Sequence, residues 1–248
     1  MAASEPEKKS GKKWVPLESN PDVLNPFLTK LGIDSSQVAS FSDVFGLEEE
    51  LLAMVPQPVL AVILCYPVTA ASDALAKKED EDQASKGTPL DPALFYMRQT
   101  IGNACGTIAV LHALGNNAST LVPAEGSFMA RFLAATQGMS PAEVGRFLED
   151  PPEGAPNIEE AHQAAAAEGA TAAPSAEDDV DLHFVAFVHV NGQLWELDGR
   201  RSGPVLRGPT SPASLLADAA GVVRQFVARS DSVSFNVLAL TGNPAGEE

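Results

Sequence analysis

Four residues in this chain have the side chains and the local settings for nucleophilic acyl chemistry: Gln99, Cys105, His183 and Asp198. Cys105 follows a Gly102-Asn103 break and precedes small and apolar residues at helical spacing, which predicts a helix start near Ala104. In the first turn of a helix, free backbone N–H groups and the positive end of the macrodipole favour a thiolate. Gln99, six residues earlier, carries an amide donor able to fold back beside the sulfur. A thiolate nucleophile, an imidazole that exchanges protons, an acid that fixes its tautomer and an amide that holds the oxyanion are the parts of a cysteine hydrolase. The competing reading is a buried, inert cysteine in an apolar helix, which residue types alone leave open.

The histidine and the acid are chosen by strand register. Residues 182–190 read as a strong strand, Asn191-Gly192 is a favoured two-residue hairpin turn, and residues 193–198 form the return strand. Val190 then lies opposite Gln193 and Asp198 opposite Val185. His183, two residues from Val185, shares a face with Asp198 as a diagonal neighbour, within side-chain reach. His189 is displaced from Asp198 by about 13 Å along the strands. His112 shares a helix face with Cys105 but sits about 10 Å along it. His189, His112 and His162, the last placed in a loop, are therefore read as structural.

These residues need elements to hold them. Asn20-Pro21-Asp22 starts a helix whose apolar side is Val23, Leu24, Phe27, Leu28 and Leu31, ending at Gly32. Residues 39–45 read as a short strand and 48–54 as a short helix. Residues 59–66 are apolar on both faces and read as a central strand, with Cys65 as inert core. Residues 70–90, rich in Ala, Lys and acids, read as an exposed loop or frayed helix. Further helices are expected over 124–137, 140–148 and from Ser211 onward, and a last strand over 232–240. Mixed helices and strands with an antiparallel hairpin make the class α+β.

Composition narrows the functional classes. Net charge is 16 − 33 = −17, which disfavours nucleic acid and suits a basic partner, with plain solubility an equal explanation. Two cysteines and no CxxC pair exclude a disulfide scaffold and a cysteine-type zinc site, and fit a reducing compartment. Residues 1–13 lack the apolar region of a signal peptide, and no apolar run reaches about 18 residues. The expectation is a soluble intracellular protein, cytoplasmic with the nucleus as a second location, and without a membrane partner.

At this point the motifs resemble one family. Gln99-Thr100-Ile101-Gly102-Asn103-Ala104-Cys105 is similar to the active-site signature of the ubiquitin carboxyl-terminal hydrolases, papain-like cysteine peptidases of family C12. Asp181-Leu182-His183-Phe184 and Glu196-Leu197-Asp198-Gly199 resemble its histidine and aspartate motifs. Trp14-Val15-Pro16-Leu17-Glu18-Ser19-Asn20-Pro21 resembles its opening and Phe235-Asn236 its last strand, in the pattern of the short L3-type members.

The resemblance implies a papain-like α+β fold with a central antiparallel-rich sheet, a knotted backbone, and a single catalytic unit over 14–241 between tails 1–13 and 242–248. It implies that Cys105 is the nucleophile, His183 the general acid/base, Asp198 its orienting group and Gln99 the oxyanion stabiliser, with no metal and no cofactor. Residues 149–181 take the place of a crossover loop beneath which the ubiquitin tail threads, limiting adducts to small or unfolded ones. Implied ubiquitin contacts are Pro16, Leu17, Glu18, Ser19, Asn20 and Pro21; Ala166, Ala167, Glu168, Gly169, Ala170, Thr171, Ala172 and Ala173; Leu182; and Ser232, Val233, Ser234, Phe235, Asn236 and Val237. The expected partner is ubiquitin, with a ubiquitin-like modifier as a second substrate, acting on a monomeric enzyme. The alternatives are a module that binds ubiquitin with little turnover and a Cys-His-Asp acyltransferase, for which no acyl-cofactor site is found.

Overall fold

The computed structural model describes residues 11–86, 91–170, 175–176 and 180–243. In chain order the elements are α1 (Pro21–Leu31), β1 (Ala39–Asp43), α2 (Glu49–Leu52), β2 (Val59–Pro67), α3 (Ala70–Lys86), α4 (Cys105–Asn116), α5 (Ala118–Leu121), α6 (Phe128–Thr136), α7 (Pro141–Glu149), α8 (Glu159–Ala167), β3 (Leu182–Val190), β4 (Gln193–Leu197), β5 (Val205–Pro209), α9 (Leu215–Ala228) and β6 (Asn236–Gly242). The strands form one sheet in the order β1-β6-β2-β3-β4-β5, and each adjacent pair is antiparallel. The α+β expectation and the central place of β2 hold.

The β3–β4 register is the one expected: Val190 faces Gln193, His189 faces Leu194 and Ala186 faces Leu197. Asn191 and Gly192 take φ of 50° and 79°, the left-handed pair that this tight turn needs. One side of the sheet packs on α1, α4, α6 and α8 through residues such as Phe27, Leu111, Phe132 and Phe184. The other packs on α9 through Val62, Phe187, Leu216 and Val223. Burial on both faces explains the unbroken apolar run of β2.

Several expectations are corrected. Residues 70–86 form a docked helix, α3, held by Glu79 and Asp80 on Arg201 and by Glu79 on Arg207. Such pairing across more than a hundred positions leaves no periodic signature; residues 87–90 lie outside the described residues. The expected crossover loop contains α8, whose Ala165, Ala166 and His162 are buried. His162 is thus a core residue of a helix, with Nε2 2.8 Å from the Val15 carbonyl and Nδ1 2.7 Å from Thr107 Oγ1. Helix α6 starts only at Phe128, where Ser127 accepts the Ala130 N–H. Strand β6 starts at Asn236, so Ser232, Val233 and Ser234 precede it. The short α5 and the edge strand β5 had no readable periodicity. Residues 1–10 and 244–248 of the expected tails lie outside the described residues, while Lys12 and Lys13 already pair with Gly102.

Candidate active site

Cys105 occupies the first position of α4, and its side chain lies against β3. Gly106 follows because a Cβ there would press on Leu17 at 3.2 Å. His183 stands opposite Tyr66 across the β2–β3 ladder, and Asp198 follows the last residue of β4. His183 Nε2 lies 2.8 Å from Asp198 Oδ1, which leaves Nδ1 for the sulfur, and His183 and Cys105 are hydrogen-bonded. The Arg200 N–H donates to the same Asp198 oxygen at 2.8 Å. The link from Cys105 to His183, which the sequence left unmeasured, is therefore present.

Electrostatics follow from this line of contacts. Burial would raise the Cys105 thiol, but the His183 hydrogen bond and charge, with the Phe184 and Gly106 N–H groups, bring it below its ordinary value. Burial would lower His183; the Asp198 charge and hydrogen bond, aided by Cys105, instead push it up to about 10. Burial likewise opposes ionisation of Asp198, and His183 overrides it to hold the carboxyl low. The arrangement favours thiolate, imidazolium and carboxylate together. Cys65 is different: burial, then the Cys105 charge, pushes it up to about 12, so it stays a neutral thiol.

Gln99 is held beside Asp198 by its backbone, whose N–H donates to the Gly199 carbonyl at 2.8 Å. Only glycine fits at 199, because a Cβ would sit 2.9 Å from the Gln99 Cβ. The Gln99 amide donates to the Ile101 carbonyl at 3.0 Å, and its Oε1 is buried without a partner. An amide has two hydrogens, so one remains for a substrate oxygen. The backbone of the whole Asp198 turn is fastened by Tyr96, whose hydroxyl lies 2.8 Å from the Asp198 carbonyl and 2.9 Å from that of Arg201. Sequence reading missed Tyr96; an aromatic just before the Gln99 motif was its only trace.

Beside Cys105 opens a cleft of about 370 Å³, which gathers the expected contact segments. Pro16, Leu17, Glu18 and Ser19, then Ala166 and Gly169, then Leu182, and finally Ser234, Phe235 and Asn236 line it, with Asn103, Cys65, Val180 and Phe184 added. Among the described residues, the other expected contacts are not part of its lining. Asn20 and Pro21 start α1, Glu168 pairs with Lys30 at 3.2 Å, and Ala167 ends α8. Val233 is 96% exposed. Val237 turns into the core on the α9 side, since alternate residues of a strand face opposite ways. Thr171, Ala172 and Ala173 lie outside the described residues.

Residues 14–228 match the family model of ubiquitin carboxyl-terminal hydrolase, family 1. The chain belongs to this family. As a ubiquitin carboxyl-terminal hydrolase it is 42% identical over 240 residues to ubiquitin carboxyl-terminal hydrolase 3 of Arabidopsis thaliana, covering 96% of this chain and 98% of that one. It is 44% identical to a ubiquitin carboxyl-terminal hydrolase of Aplysia californica, covering 90% and 99%. In fold, this hydrolase resembles the catalytic domain of Trichinella spiralis UCH37 bound to ubiquitin vinyl methyl ester. The TM-score is 0.69 at 20% identity, covering 96% of this chain and 99% of that one. Among the described residues no helix is long and apolar enough to cross a membrane.

Proposed function

We propose that the chain is a thiol-dependent deubiquitinase that hydrolyses small or unfolded adducts at the C-terminal glycine of ubiquitin. The observation that carries this reading is the hydrogen-bonded line Cys105–His183–Asp198 beside a cleft bounded by the N-terminal segment, α8 and the start of β6. In the proposed mechanism the Cys105 thiolate attacks the glycine carbonyl. The oxyanion is taken up by the Cys105 N–H and the spare Gln99 hydrogen. His183 then donates its proton to the leaving amine, which departs, and the thioester is released by a water that gives a proton back to the imidazole.

Glu18, at the cleft wall, offers a carboxylate to the arginine-bearing tail of ubiquitin. A cleft of about 370 Å³ beside the sulfur favours an extended chain with small residues at its end. The same reading takes 14–241 as the catalytic unit, acting as a monomer in the reducing cytoplasm and nucleus, with a ubiquitin-like modifier as a second substrate. Incubation with a fluorogenic ubiquitin C-terminal amide is expected to give turnover that Cys105→Ala abolishes. Ubiquitin binding without turnover by the wild-type chain would instead make it a binding module.

A further inference from the structure

The turn that carries Asp198 is gripped from outside by α3. Arg201, three residues past Asp198, is only 5% exposed. Its Nε donates to Asp80 Oδ1 at 2.7 Å, Nη1 to Glu79 Oε2 at 2.8 Å and Nη2 to the Ala76 carbonyl at 3.1 Å. Nη1 also lies 3.5 Å from the buried Glu196. Asp80 accepts the Ser202 N–H at 3.0 Å, so the same carboxylate holds both the side chain and the backbone of the turn. A planar guanidinium held on three sides has little freedom, and its own carbonyl shares the Tyr96 hydroxyl with that of Asp198.

We propose that Arg201 is a positioning residue for hydrolysis: by fastening the turn after β4 to α3, it keeps the Asp198 carboxylate on His183 Nε2. This inference rests on the reading of Asp198 as the group that orients His183. Charged and titratable groups face this region from every neighbouring element. They are Asp73, Glu79 and Asp80 on α3, Tyr66 on β2, His183 on β3, Glu196 on β4 and Arg207 on β5, with Cys105 and His112 on α4 and Tyr96 and Arg98 before it. Arg200 lies in the turn itself, and Arg229 borders the adjoining cavity at the end of α9.

Position and charge leave opposite signatures. Removal of a cation, taken alone, favours the imidazolium and moves the alkaline limb of the kcat profile up. Loosening of Asp198 removes the imidazolium's partner and moves that limb down.

The test is Arg201→Met on the fluorogenic ubiquitin amide, with rates expressed per Cys105 site labelled to completion by an electrophilic ubiquitin. The expected result is kcat lower by about 10- to 100-fold with KM unchanged. The alkaline limb should also fall by about half a pH unit or more, and Arg201→Lys should recover part of both. An unchanged kcat per labelled site, or a limb that stays or rises, overturns the proposal. If Arg201→Met does not fold, Asp80→Ala, on a partly exposed helix face, should lower kcat per site several-fold, and wild-type kcat there would overturn it too. A wild-type chain without turnover would defeat the functional reading; turnover in wild type matched by the variants defeats this inference alone.

Discussion

A thiol as enclosed as that of Cys105 would ordinarily keep its proton. Here three groups that favour the anion converge on it: the His183 ring and the N–H groups of Phe184 and Gly106. The lowered thiol and the imidazole raised to about 10 together widen the pH range over which the ion pair exists. The spare hydrogen of Gln99 matters only once a carbonyl becomes an oxyanion. Gln99→Ala is therefore expected to lower kcat by about 10²- to 10³-fold while KM for a ubiquitin amide changes little. Steady-state kinetics on the two proteins check this, and a change confined to KM would show that the amide binds ground state. At this scale much was legible: the Asn191-Gly192 turn fixed the pairing register of the two strands, and that sufficed to select His183 over His189. Tyr96 and Arg201 were not legible, because Tyr96 bonds two backbone carbonyls and Arg201 bonds two acids, all about a hundred or more residues away in sequence.

Among the elements, α8 shows why polar and small residues can anchor a segment that lacks an apolar stripe. Its His162 packs at a tilt against Trp14 with ring centroids 4.3 Å apart and bridges Val15 to Thr107, tying the crossover segment to the helix that carries Cys105. An Ala-rich stretch between prolines carries no periodic signal, so this helix could not be read from sequence, whereas α1 and α7 announced themselves by caps and prolines. Burial lowers both His162 and His112 to about 4, from 6.5 in the unfolded chain. Between those values the unfolded chain binds more protons, so stability is full above 6.5 and falls as pH drops toward 4. His162→Gln removes one such ring. Urea unfolding should show its loss of stability from pH 7 to pH 5 to be smaller than that of wild type by about 2 kcal/mol. Equal losses in both proteins would show that His162 takes a proton in the fold.

Over the whole molecule, the sheet brings segments more than two hundred residues apart to one cleft. Ser19 donates to Asn236 at 2.6 Å, and Lys12 reaches Glu159 at 2.9 Å, so the N-terminal segment is sewn to both the last strand and α8. Topology of this kind was legible as a class and a central strand, but the closure of the cleft depends on contacts between polar residues that no local pattern predicts. The cleft also holds two thiols of opposite character. Cys105 is poised as an anion, while Cys65, between Phe184 on β3 and Asn236 on β6, keeps its proton. The most direct test is to treat the full chain at pH 7 with a ubiquitin bearing a C-terminal electrophile and to locate the adduct by peptide mass spectrometry. The account predicts one adduct, on Cys105, lost in His183→Ala. An adduct on Cys65, or equal labelling without His183, would contradict it.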